Sequence, residues 1–153
     1  MNTYSRRCKM SITQYLTEEH RKCDQIYAEV EKAVNEGNWE KAKELFKEFK
    51  EKTLLHFKKE EEVLFPEFEQ RTGIVMGPTQ VMRMEHDQAR ELLERMEKAL
   101  EEKNKDEFLS LGESLMILIQ QHNMKEEQIL YPMSDQNLNA EKMVSKMAEL
   151  GEV

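Results

Sequence analysis

The sequence contains one segment twice, without a gap between matching positions. Residues 19–66 match residues 85–132 at a constant offset of 66 positions, and this offset carries His20 onto His86. All four histidines of the chain fall on the repeat, as two matched pairs. A chain whose halves repeat in this way is predicted to fold as two copies of one structural unit packed against each other.

Each copy holds a histidine and a glutamate four residues apart, His56 with Glu60 and His122 with Glu126. Four steps of about 100° return a helical side chain to the same face one turn later. An imidazole and a carboxylate stacked on one helix face are a common arrangement of metal ligands. The repeat therefore predicts a ligand pair on each of two helices.

Apolar residues recur at three- and four-residue steps in four long segments, which is typical of amphipathic helices. Gly37 with Asn38 separates the first two segments, residues 71–78 connect the second to the third, and Asn104 caps the fourth. We predict an all-α fold, an antiparallel up-down-up-down four-helix bundle built from a duplicated helical hairpin. Pro66 is expected to kink or end the second helix.

Three parts of the chain are predicted. Residues 1–10 have no periodic pattern and are expected to form a flexible arm, followed by the bundle at residues 11–136. Residues 137–153 are expected to contain a short fifth helix, which covers the bundle or pairs with another chain.

The acidic composition limits the partners. Lys and Arg number 23 against 31 for Asp and Glu, a net charge of −8, which argues against nucleic acid and against an anionic membrane. No apolar run approaches the roughly 20 residues that span a bilayer, and no signal-peptide pattern opens the chain. We therefore expect a cytoplasmic protein.

Six polar side chains fall on the apolar stripes of the four helices. Each costs several kcal/mol to bury unless a partner compensates it. One alternative is a buried hydrogen-bond network of histidine and glutamate, or a site at the bundle end that is open to water; neither explains why every histidine falls on the repeat. We favour a metal site, and the candidate ligands are His20, His56, Glu60, His86, His122 and Glu126.

Four imidazoles and two carboxylates, without a thiolate, suit iron or manganese better than calcium, magnesium or structural zinc. Six side chains spread over two helical turns are too many for one octahedral ion but match two ions, with Glu60 and Glu126 bridging. An oxo or hydroxo bridge would leave one open position on each ion, where a small diatomic or peroxide could bind. We expect two iron ions, with manganese and zinc as weaker alternatives, and the pairing of histidines with each ion is left open.

Four residues near the candidate ligands have simpler expected roles. Glu61 and Glu127 point about 100° away from the ligand glutamates if the helix is regular, so they are expected to be surface charges. Phe65 and Tyr131 are expected to fill the core near the site, and a redox-active tyrosine is the alternative.

Three further residues lie on or beside the first and third helices. Cys23 falls on an apolar stripe and is expected to be a buried, inert thiol, with a redox role as the alternative. Asp24 is expected either to accept a hydrogen bond from an imidazole, to pair with Arg90 at the equivalent position of the repeat, or to be exposed.

These ligand pairs, with the phrases Glu-Glu-Val-Leu-Phe-Pro, Met-Glu-His-Asp and Lys-Glu-Glu-Gln-Ile-Leu-Tyr-Pro, resemble the hemerythrin-like family of HHE cation-binding domains over about residues 12–136. Oxygen-carrying hemerythrins have a fifth histidine where this chain has Arg90, and end in His-x-x-x-x-Asp where it has His122-x-x-x-Glu126. The pattern is closer to the four-histidine branch that includes the repair-of-iron-centres proteins. The resemblance implies that the six candidate residues are ligands of a di-iron centre.

A protein of this kind is expected to bind or sense oxygen, nitric oxide or peroxide at the open iron positions. Enzymatic removal of peroxide or nitric oxide, and iron donation to damaged iron–sulfur clusters, are the alternatives. The expected partners are the small ligand and an electron donor or signalling protein, and a homodimer is left open.

Overall fold

The computed structural model describes residues 10–153, and every regular element in that range is helical. The α-helices are α1 (Ile12–Asn35), α2 (Trp39–Lys59), α3 (Phe65–Thr72), α4 (Pro78–Glu101), α5 (Lys105–Lys125), α6 (Tyr131–Asn137) and α7 (Ala140–Glu149). Two π-helical segments, π1 (Glu60–Leu64) and π2 (Glu126–Leu130), join α2 to α3 and α5 to α6 without a break. The all-α prediction is confirmed, while residues 1–9 of the expected arm lie outside the described residues.

Two helical hairpins pack into the bundle. Helices α1 and α2 pair through the turn at Gly37, and α4 and α5 pair through the equivalent turn at Lys103. The hairpins then meet through contacts of α2 with α4 and of α1 with α5, which completes the four-helix bundle. Helix α1 begins with the capping box expected at Ser11, whose side chain accepts from the backbone of Gln14.

The π segments occupy equivalent positions in the two copies. In each, a backbone N–H bonds to the carbonyl five residues earlier, Phe65 to Glu60 and Tyr131 to Glu126. Pro66 follows directly, and the helix continues past it to Thr72, so of the two outcomes expected at this proline, a kink or an end, the end is excluded. The proline is tolerated because it lies in the first turn of the α-helix that resumes after π1.

The apolar core has two parts, one on each side of the layer that contains the histidines. The hairpin-end cluster lies toward the two turns and includes Tyr27, Phe46, Phe49, Leu93, Met96 and Phe108. The terminal cluster lies at the opposite end and includes Ile12, Leu16, Phe65, Phe68, Met82 and Met147. Helix α7 completes the terminal cluster by packing on α1 and π1.

The short C-terminal helix is confirmed as α7, but the division of the chain into an arm, a bundle and a C-terminal segment stays a prediction. Within residues 10–153, none of the helices combines the length and apolarity needed to cross a membrane.

The two hairpin turns provide a test of the repeat. Gly37 has φ of 73° and Lys103 has φ of 54°, so the second copy places a lysine where the backbone is left-handed. We expect Lys103→Gly to raise the free energy of unfolding by about 1 kcal/mol, and Gly37→Lys to lower it by about as much. Chemical denaturation measures both. A steric clash does not contribute to the effect of Gly37→Lys, because a Cβ added at Gly37 meets nothing within 4 Å. A lower free energy of unfolding for Lys103→Gly would contradict the expectation.

Candidate metal centre

The structure brings all six candidate ligands into one buried layer between the two core clusters. Helices α1, α2, α4 and α5 each contribute one histidine, and the two glutamates are the first residues of π1 and π2. None of the six is more than 5% exposed. Their assignment as metal ligands stays a prediction, and their geometry can be compared with that of a metal site.

The six side chains form two groups, each compact enough for one ion. The atoms that could bind metal lie within 4.8 Å of one another in each group, and the groups are His20, His56, Glu126 and Glu60, His86, His122, Glu126. Each hairpin therefore contributes the histidine pair of one group.

Both glutamates lie between the histidine pairs. Glu60 Oε1 is 3.4 Å from His56 Nε2 and 3.1 Å from His86 Nε2. Glu126 Oε1 is 3.2 Å from the Nε2 atoms of both His20 and His122. Two ligand atoms that bind one ion at right angles, each about 2.1 Å from it, lie about 3 Å from each other. The distances from each glutamate oxygen to a histidine of either pair are close to this value, so each carboxylate could bridge two ions.

Each histidine is oriented by a carboxylate that contacts its outer nitrogen. His56 Nδ1 lies 2.9 Å from Glu19 Oε1, and the buried Lys59 Nζ lies 2.5 Å from Glu19 Oε2. The second copy repeats both contacts at the same distances, through His122, Glu85 and Lys125. A carboxylate on Nδ1 leaves Nε2 facing inward as a potential metal donor.

The other two histidines are oriented by glutamates from the opposite hairpin. His20 Nδ1 lies 2.7 Å from Glu127 Oε2, and His86 Nδ1 lies 2.7 Å from Glu61 Oε2. The expectation that Glu61 and Glu127 are only surface charges is therefore wrong. These two glutamates follow Glu60 and Glu126 on the helix, and the direction in which they point faces a histidine of the opposite hairpin instead of solvent.

The residues that sequence reasoning missed are the outer partners of the histidines and the lysines on them. A signal existed, since Glu19 and Glu85 match across the repeat, as do Lys59 and Lys125. Each of these glutamates directly precedes a candidate histidine, so its side chain points about 100° away from that histidine around the helix. The residue that it contacts on a neighbouring helix could therefore not be identified from the sequence.

Tyr131 reaches the candidate ligands through its hydroxyl. The oxygen lies 2.6 Å from Glu60 Oε2, 2.8 Å from Glu126 Oε1 and 3.1 Å from His20 Nε2. Burial, with the charges of the two glutamates, raises the pKa of Tyr131 well above its ordinary value, so the phenol stays protonated. Its equivalent in the first copy is Phe65, which has no hydroxyl.

Buried carboxylates raise the pKa of three of the four histidines. Burial by itself opposes protonation of His20, but hydrogen bonds to Glu126 and Glu127 raise its pKa to about 10. Burial also opposes protonation of His86, whose own glutamate partners raise its pKa to about 9. The pKa of His122 is raised in the same way, against the effect of burial. In the absence of a metal, protons on these imidazoles balance the carboxylates.

Glu60 and Glu126 are fully buried side by side, and their pKa values move apart. Burial and repulsion from Glu126 raise the pKa of Glu60. Burial also disfavours the charged form of Glu126, but the charge of His122 and a hydrogen bond with Glu60 hold its pKa well below the ordinary range. Two carboxylates this close share a proton unless a cation neutralises them.

Several of the candidate donor atoms are placed to bind a metal ion but not to form hydrogen bonds with one another. Four buried atoms of this layer have no hydrogen-bond partner among the described residues, namely Glu60 Oε1, His86 Nε2, His122 Nε2 and Glu126 Oε2. Three of these atoms lie near a possible partner at ion-pair distance, but none has the direction that a hydrogen bond needs. Buried polar groups are normally paired, so atoms that converge without bonding indicate a cation site.

Cys23, Asp24 and Arg90 lie next to the centre. Cys23 is partly buried, and burial raises the pKa of its thiol to about 11, which agrees with an unreactive cysteine. Arg90 pairs with Asp87 and Glu61, at 2.9 and 2.7 Å, in place of the ion pair with Asp24 that the repeat left open. Asp24 is exposed.

Comparison with known proteins agrees with this geometry. The family model described as the hemerythrin HHE cation binding domain matches residues 11–134. Neither the comparison with curated proteins nor the comparison with solved structures finds a match. Because the family match spans most of the chain and includes all six clustered histidines and glutamates, the chain belongs to the hemerythrin HHE cation-binding domain family.

Proposed function

We propose that this protein is a non-haem di-iron protein that binds or senses a small oxidant or gas, with oxygen, nitric oxide and peroxide as the ligand class. The proposed metal ligands are His20, His56, Glu60, His86, His122 and Glu126. The proposal places the protein in the cytoplasm, with an electron donor or signalling protein as a further partner.

The main support is a set of inward-facing donor atoms that make no well-directed hydrogen bond within the described residues. The Nε2 atoms of His86 and His122 and one oxygen on each of Glu60 and Glu126 are buried and unpaired within the described residues. Leaving a buried polar atom unpaired costs about 1–3 kcal/mol each. Two cations would satisfy all four atoms.

Charge balance supports the same conclusion. The layer and its outer partners contain six carboxylates, from Glu19, Glu60, Glu61, Glu85, Glu126 and Glu127. Within residues 10–153, the Lys and Arg side chains that contact them are Lys59, Lys125 and Arg90. Ionised carboxylates and neutral imidazoles would leave a negative charge in a buried layer, which multivalent cations neutralise.

The donor set favours iron. Imidazole with carboxylate, and no thiolate among the six, is typical of non-haem iron and manganese sites. Bound iron would supply open coordination positions and one-electron redox chemistry for a small ligand. The chain orients the imidazoles through four glutamates and surrounds them with two apolar clusters that exclude bulk water.

Deep burial supports binding over iron donation, because the six residues are at most 5% exposed and release of iron would require the bundle to open. Turnover of peroxide or nitric oxide is the remaining alternative. Protein purified without added metal should contain two irons per chain and bind azide or nitric oxide reversibly. Sustained consumption of either substrate under reductant would show an enzyme, and absence of iron would overturn the proposal.

Removal of a proposed bridging or terminal ligand tests the assignment. We expect Glu60→Ala and His122→Ala to lose one or both irons while the bundle stays folded, with a lower melting temperature because metal binding stabilises the folded state. Elemental analysis and circular dichroism measure the two effects. Glu62→Ala, next to the site but exposed, is the matched control; unchanged iron in either ligand variant would exclude that residue as a ligand.

Removal of charge from the outer partners should act more weakly. Glu61→Gln and Glu127→Gln keep the side-chain shape but weaken the contact that orients His86 and His20. We expect each to lower metal affinity by about 10- to 100-fold. Competition with a chelator measures the affinity, and Glu62→Gln serves as control because its repeat equivalent is already Gln128. Equal affinities for all three variants would count against an orienting role.

Metal should reverse the dependence of stability on pH. In the metal-free protein the pKa values of His20 and His86 rise from 6.5 to about 10 and about 9. Their protonation therefore stabilises the folded state fully below pH 6.5, and this stabilisation is lost as the pH rises toward 9 and 10. We expect the melting temperature of metal-free protein to fall over this range, and that of iron-loaded protein to hold or rise. A metal-free melting temperature that rises with pH would contradict this.

A further inference from the structure

The outer side of α5 carries almost no charge. From Phe108 to Met124 the chain has one Asp, Glu, Lys or Arg, which is Glu113, although these residues make up 35% of the whole sequence. Five exposed side chains of this stretch follow one another at steps of four and three residues, so they form one stripe along the helix. The outer stripe consists of Ser110, Ser114, Ile117, Gln121 and Met124. Ile117 and Met124 are 53% and 56% exposed.

The equivalent stripe of α2 has a different composition. The offset of 66 residues matches the outer stripe with Glu44, Glu48, Glu51, Leu55 and Lys58. The four charged residues among them are exposed, as is usual for the solvent side of a bundle helix. The second copy of the repeat therefore has uncharged residues, two of them large and apolar, at positions that are charged in the first. Exposed apolar residues without charges among them are typical of the centre of a protein–protein interface.

The spacing of the outer stripe indicates that its partner is a helix. Steps of four, three, four and three residues repeat every 3.5 residues on average, which is the pattern by which one helix packs along another. The fourteen residues from Ser110 to Met124 extend over about 21 Å, or four helical turns. Nucleic acid and anionic membranes are disfavoured as partners, because the stripe contains no lysine or arginine and the chain has a net charge of −8.

The outer stripe is complementary to itself when two copies run antiparallel. A twofold axis beside position 119, the midpoint of both pairs, places Ser114 of each copy opposite Met124 of the other and Ile117 opposite Gln121. The long Met124 side chain then meets the small Ser114, which lets the two helices approach closely. Two chains that each have a net charge of −8 repel one another, and a nearly uncharged face is where they can meet at the lowest electrostatic cost.

We propose that this protein forms a homodimer in which the outer stripes of two α5 helices pack antiparallel, with Ser114 of each copy against Met124 of the other. This inference is independent of the metal and of the ligand that the buried layer binds. A face about 21 Å long and about 11 Å wide is small for a protein–protein interface. The dimer is therefore weak, and its population depends on protein concentration.

The first test is sedimentation of the full chain at concentrations from about 1 µM to about 500 µM. The mass of wild type should rise from 18.3 kDa toward twice that value. We expect Ser114→Glu and Met124→Lys each to weaken the dimer by about 10-fold or more, because each places an unpaired charge in the contact. Met76→Glu is the control, since Met76 is 81% exposed in the connection between α3 and α4, and it should dimerise as wild type does.

The second test combines Ser114→Glu and Met124→Lys in one chain. In the antiparallel arrangement each introduced carboxylate faces an introduced ammonium group of the other copy, at both ends of the contact. We expect this double variant to dimerise about 10-fold more tightly than either single variant. In a parallel arrangement each residue would meet its own equivalent, so like charges would oppose each other and the double variant would dimerise no better.

Each outcome decides one part of the proposal. Wild type that stays monomeric at about 500 µM would overturn it. A dimer that neither single variant weakens would exclude the outer stripe, and a dimer that the double variant does not restore would exclude the antiparallel pairing. Circular dichroism checks that each variant is helical, and the two single substitutions lie at different places on the stripe, so misfolding of one leaves the other to test the face.

Discussion

The stability of this bundle depends on how the charges in one layer of the interior are compensated. Ten ionisable side chains, four histidines and six glutamates, meet between two apolar clusters, with three cationic side chains at the edge. Isolated charges would be too costly to bury, so the buried carboxylates need positive partners. Lys59, Lys125 and Arg90 pair with Glu19, Glu85 and Glu61. In metal-free protein, protons on imidazoles compensate the remaining carboxylates, and in the proposed loaded form metal ions do so. The bundle can be stable in either state, with opposite responses to pH.

The duplicated hairpin supplies this layer with matching histidines and glutamates from its two copies. Each copy contributes a histidine pair, and each copy also contributes the glutamate that orients a histidine of the other, through His20 with Glu127 and His86 with Glu61. These contacts cross between the hairpins, so neither half of the centre is complete alone. The symmetry then fails at a few positions near the histidines, where the repeat matches Phe57 with Asn123 and Phe65 with Tyr131.

Much of the fold could be predicted because it follows from periodicity. Apolar steps of three and four residues define the helices, and the constant offset places the histidines at matching depths. The role of Glu61 could not be predicted, because the histidine that it contacts lies on the opposite hairpin, and the sequence does not show which side chains of the two hairpins meet. The stacking of Phe57 on His86 depends on contacts between helices α2 and α4, which one helix's pattern does not contain.

Two iron ions are proposed to compensate the buried layer, and they can be located in crystals of protein purified without added metal, measured on both sides of the iron absorption edge. Two bound irons would give two anomalous peaks, one by His20 and His56 and one by His86 and His122, with Glu60 and Glu126 between them. A layer without anomalous density, with imidazoles and carboxylates bonded only to one another, would contradict it.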